Sequence, residues 1–237
     1  MDEVMAPEML ESQALSWIYV ILFTLFFLTC IRMRGNFKFL GVFFRDLVVV
    51  KERQNLFDAT TMRETSLIFL ALLLSGCSIG VLMWQAVGVF GSSLPVGPEP
   101  GAPGFALKGE LLPALACMAI ACGYIGAMWV CYTVVGKVFS DSPHTWLWVR
   151  GFTAGTGLGA AVFFPLALLS LAYPAHTREI VIAGLAMLIL VKFIFIVKGF
   201  RIFFTESSLW VVFLYYLCSL EIVPLVITFG LACALLG

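Results

Sequence analysis

Six stretches of this chain, roughly 14–31, 66–91, 111–136, 151–173, 180–198 and 209–236, stay apolar over lengths that a fold in water does not require. A helix that crosses a bilayer takes about 20 mostly apolar residues. Lipid offers the backbone no hydrogen-bond partner, so a segment of this kind satisfies its own peptide groups as a helix. Composition points the same way. The chain is 62% hydrophobic and 12% charged, with a mean hydropathy of +1.05, whereas soluble domains run to about half apolar and a quarter charged. The expected fold is all-α: a polytopic membrane bundle of about six transmembrane helices, forming one domain over 1–237. The second and third stretches are free of charge for longer than a bilayer requires, so they should tilt or extend into the headgroups.

The connections differ in charge, and that difference predicts orientation. Placing the first, third and fifth connections on one side collects Arg32, Arg34, Lys38, Arg45, Lys51, Arg53, Arg63, Lys137, Arg150, Lys192, Lys198 and Arg201. Only Lys108 and Arg178 fall on the other. Such an excess marks the cytoplasmic side and puts both termini outside the cytoplasm. The start of the chain, "MDEVMAPEMLESQ", is acidic. It lacks the basic region of a cleaved signal peptide, so the first apolar stretch is expected to be retained and 1–13 to form an external tail.

The basic segment 32–64 contains "NFKFLGVFFRDLVVVKER", an apolar run too short to span and broken by Arg45 and Asp46. Lys38, Arg45 and Glu52 recur on one helical face, and Leu40, Phe43, Phe44 and Leu47 fill the opposite one. That pattern suits an amphipathic helix in the cytoplasmic interface, and a loop helix packed beneath the bundle fits equally. Trp146 and Trp148 flank the boundary at Arg150, as interfacial aromatics do. Gly76 and Gly80 in the second span, and Gly151, Gly155 and Gly159 in the fourth, have the small-residue spacing that lets membrane helices approach closely. "GTGLG" in the fourth span has neither a preceding strand nor a following Lys-Ser/Thr, so it is packing and not a nucleotide loop. The seven cysteines lie in apolar segments and imply no disulfide framework.

Two charges interrupt the last two spans: Lys192 and Glu221. Glu221 falls about 18 Å into its helix, close to the bilayer mid-plane, and Lys192 about 9 Å from the cytoplasmic edge. A lone carboxylate at that depth costs at least several kcal/mol. Side chains lean toward the N-terminus of their own helix, so in antiparallel neighbours Lys192 and Glu221 lean toward each other. Lys192 has the alternative of snorkelling to the interface, which Glu221 has not. Pro224 cannot donate a backbone bond to the Leu220 carbonyl and should bend the helix beside the acid. Tyr215, Tyr216 and Cys218 lie one to two turns earlier, with polar groups that could serve the carboxylate.

"FLYYLCSLEIVPLVI" (213–227), preceded by "VKFIFIVKGFRIFF" (191–204), resembles the C-terminal signature of an uncharacterised bacterial inner-membrane family classified only as a domain of unknown function. The resemblance implies a multi-pass protein of the bacterial inner membrane and draws attention to Glu221 and Pro224 without assigning them a role.

Enzyme signatures are missing from the sequence. There is no His-Glu-x-x-His, no Asp-rich magnesium motif and no serine nucleophile elbow. The two histidines, His144 and His176, are too few for a multi-histidine iron site. The expectation is a non-catalytic protein without cofactor or bound metal. Its partners would be the lipid bilayer and other membrane proteins of an envelope assembly, not nucleic acid. The alternative is a small carrier or lipid translocase with Glu221 as a protonatable gate and Lys192 as its partner. Its weakness is the lack of any internal repeat: both interrupted spans lie at the C-terminal end.

Overall fold

The computed structural model describes the backbone of residues 5–34, 62–90, 111–139, 142–203 and 210–236. The described residues form six α-helices: α1 (Met5–Met33), α2 (Met62–Phe90), α3 (Leu111–Phe139), α4 (Ser142–Ala172), α5 (Thr177–Phe203) and α6 (Trp210–Leu236). No strand occurs among the described residues. Among the described residues five helices are long and apolar enough to cross a membrane, and α6 adds the apolar run Ser219–Leu235. The molecule is a multi-pass helical bundle. Residues 35–61, which hold the expected interfacial helix with Lys38, Arg45, Lys51 and Arg53, lie outside the described residues.

Helix ends extend past the apolar stretches. α1 reaches back to Met5, through most of the acidic segment. The stretch 137–150, expected as a connection, is largely helix: α3 runs to Phe139 and α4 begins at Ser142, so Trp146, Trp148 and Arg150 belong to the first turns of α4. Hydropathy marks where lipid begins, whereas a helix ends where its hydrogen bonding does. Arg32 stands in the last turn of α1, where a cation complements the exposed carbonyls. Arg34 closes that end by donating its backbone N–H to the Cys30 carbonyl at 3.0 Å.

α2 is the central helix, in contact with the five others. Its Leu74, Cys77, Val81 and Leu82 pack with Ile18 and Leu22 of α1, Ala114 and Met118 of α3, and Phe163, Phe164, Ala167 and Leu171 of α4. Hydrocarbon is as apolar outside the bundle as inside, so fit rather than water exclusion holds these helices together. Gly80 shows how close the fit is. A Cβ there would lie 2.4 Å from the Met118 Cα, backbone against backbone. One turn away, a Cβ on Gly76 would meet the Cys122 Sγ at 2.7 Å. Gly159 stands where a side chain would press on Phe163 and reach Ser75 of α2, and Gly151 and Gly155 are buried on the same helix. On α1, Phe26 stacks on Phe164 of α4, with centroids 4.5 Å apart and planes 3° apart.

Polar side chains within the spans turn back on their own helices. Ser78 donates to the Leu74 carbonyl at 2.8 Å, Thr29 to Leu25 at 2.7 Å and Thr153 to Val149 at 2.9 Å. The α4–α5 corner is tied in the same way. Pro174 opens a 3₁₀ turn, Pro174–His176, and the buried Thr177 hydroxyl lies 3.1 Å from the Pro174 carbonyl and 3.3 Å from that of Ser170.

Candidate functional site

Three helices bring one polar cluster together. Lys192 lies on α5, Glu221 on α6 and Tyr124 midway along α3. The Lys192 ammonium donates to Glu221 Oε2 at 2.5 Å. The carboxylate side chain is 4% exposed and the lysine side chain 19% exposed. On another side the ammonium stands 5.2 Å from the centroid of the Tyr124 ring, within the range of a cation–π contact. The side chains close the height difference between the two charges by themselves. Lys192 therefore points into the bundle, toward Glu221.

The neighbours of this pair differ from the simple hairpin that the sequence suggests. α5 and α6 follow each other in the chain, yet α6 packs chiefly against α3 and α2 and touches α5 only sparsely. The ion pair links the two helices. Next to it lies an apolar cluster of Ile125, Met128 and Tyr132 of α3, Phe152 of α4 and Phe195 of α5, against which Tyr124 and Leu220 also pack. Tyr132, Phe152 and Phe195 form a ring cluster with centroids 4.9 to 5.7 Å apart. One turn of α5 thus carries both the ammonium at 192 and an aromatic anchor at 195.

Glu221 Oε1 is buried without a hydrogen-bond partner among the described residues, and so is the Tyr124 hydroxyl. Pro224 lies inside α6, which remains helical through it. Its carbonyl accepts from the Thr228 hydroxyl at 2.6 Å. Tyr215, Tyr216 and Cys218 belong to the first half of α6, but their side chains lie outside the described residues. Sequence reasoning did not find Tyr124. A tyrosine in the middle of an apolar span was its only signal, and nothing in the sequence tied it to charges on two later helices.

Other residues singled out in the sequence lie away from this cluster. Gly76, Gly80 and Gly159 sit at helix contacts, with α2 as the common element. His176 is exposed at the α4–α5 corner with Glu179, 3.4 Å from its Nδ1. Among the described residues no three His, Cys, Asp or Glu side chains converge as a metal site would require.

Residues 18–232 match the model of a family described as a domain of unknown function (DUF4271). No curated protein and no solved structure matches the chain.

Proposed function

The chain belongs to the DUF4271 family, and from that premise we propose that it is a non-catalytic subunit or stabilising factor of a larger envelope assembly. It would reside in the bacterial inner membrane with both termini outside the cytoplasm. The observation that carries this reading is the Lys192–Glu221 pair. The two intramembrane charges are spent on each other inside one chain, joining helices that otherwise touch little. A polar centre used in this way fixes a shape. Around it α5 turns Ile182, Leu185, Ile189 and Phe193 outward, an apolar side suited to lipid or to the apolar flank of a neighbouring membrane protein. Gentle detergent extraction tests the reading. Membrane proteins co-purifying in fixed stoichiometry support it, and a lone monomer or homodimer counts against it.

A second reading is favoured by one specific observation. Glu221 Oε1 has no described partner, so half of the carboxylate remains available to a proton. In a small carrier or translocase, Glu221 would be the protonatable gate, Lys192 its counter-charge and Pro224 the hinge. Glu221→Gln separates the two. Unchanged thermal stability together with a cellular defect would favour the carrier, whereas loss of stability favours the fixed pair.

A further inference from the structure

Glu221 has two carboxylate oxygens, and Lys192 occupies one. Oε2 takes the ammonium, while Oε1 is buried without a described partner on a side chain only 4% exposed. The Tyr124 hydroxyl is likewise buried and unpartnered among the described residues. The residues that carry these two groups flank the same ammonium, Glu221 through Oε2 and Tyr124 through its ring, 5.2 Å from the ammonium. An acceptor buried in this way retains its desolvation cost until something donates to it, and lipid chains have nothing to donate.

Charge selects the occupant. Lys192 already balances Glu221, so a metal cation or an ammonium would bring an uncompensated charge into hydrocarbon. An anion would face the free lone pairs of Oε1. A neutral molecule that both donates and accepts satisfies both orphan groups, and water is the smallest. Buried water takes two to four polar partners. Glu221 Oε1, the Tyr124 hydroxyl and the two ammonium hydrogens not used on Oε2 can supply that number.

We propose that Glu221 Oε1, the Tyr124 hydroxyl and Lys192 form a binding site for one water molecule in the interior of the bundle. The water donates to Oε1 and bonds the phenol, linking α3 and α6 across the ion pair. This site goes beyond both functional readings and depends on neither.

Radiolytic footprinting tests it, because hydroxyl radicals formed from a bound water oxidise the side chains that touch it. The protein is irradiated in nanodiscs, and the oxidation rates of Tyr124 and Phe152 are each normalised to the same residue in denatured protein. Phe152 is buried in the neighbouring apolar cluster. The expected result is Tyr124 oxidised several-fold faster than Phe152, with the difference abolished in the Glu221→Leu/Lys192→Met double variant, which removes the polar atoms without leaving a lone charge. Equal rates in the native protein overturn the proposal, as does a Tyr124 rate unchanged in the double variant. If that variant does not fold, the comparison within the native protein decides alone.

Discussion

Inside a bilayer, a lysine and a glutamate are each costly when single and tolerable when they meet. Lys192 and Glu221 meet at 2.5 Å, with the Tyr124 ring against the same ammonium. Removing one partner leaves the other charge uncompensated, which costs about 3–5 kcal/mol for buried pairs in soluble proteins. Lys192 retains some exposure, so it can relax toward the interface when Glu221 is removed. Glu221 is too deeply placed to relax. Lys192→Met is therefore expected to lower the thermal midpoint more than Glu221→Gln, and the double variant to recover part of the loss. Thermal unfolding of all four proteins in detergent checks this, and strictly additive losses would mean that the pair contributes no coupling. Tyr124→Phe keeps the ring over the ammonium and removes only the hydroxyl, so its midpoint is expected to fall by far less than that of Lys192→Met.

At the scale of elements, the bundle depends on how closely α2 and α3 approach. The Gly80 contact is with backbone atoms of Met118, which cannot rotate aside as a side chain can. Gly80→Ala must push two helices apart, and overpacking of this kind costs about 1–3 kcal/mol. Gly88, on the same helix, has no atom within 4 Å of an added Cβ. Gly88→Ala is expected to be neutral or slightly stabilising, since alanine is the better helix former. Gly76→Ala falls between them, because the Cys122 thiol can turn away while its Cα, 3.2 Å from the added carbon, cannot. Midpoints of the three variants, ranked Gly80 below Gly76 below Gly88, would bear out this account. A Gly80→Ala protein as stable as the native one would contradict it.

The whole molecule is ordered by which helices need neighbours. α2 is the most enclosed of the membrane-length helices, with 56% of its apolar window buried, against 17% for α1 and for α5. A central, glycine-notched helix surrounded by peripheral ones leaves α1 and α5 facing lipid or another protein. For orientation, the uneven distribution of lysine and arginine predicts cytoplasmic readings for reporter fusions after residues 55, 142 and 203. Fusions after 100 and 237 should read external. A cytoplasmic signal after 237 would reverse the assignment.

The sequence by itself determined that this chain is an all-α membrane bundle, because only helices can satisfy their own peptide groups over unbroken apolar lengths. It also marked Lys192 and Glu221 as unusual, because hydrocarbon makes any charge conspicuous, and Gly76 and Gly80 as contact points, because small residues recur there at one-turn spacing. Helix ends were less legible: the polar residues of 137–150 interrupt the apolar pattern, yet most of that stretch is helical. Which helices meet was not legible at all. Every outer face of a span is apolar, whether it touches lipid or protein, so the pattern carries no signal of partner. Only the tertiary structure placed α6 against α3 rather than flat along α5. That placement brought Tyr124, from a helix remote in the chain, to the Lys192 ammonium.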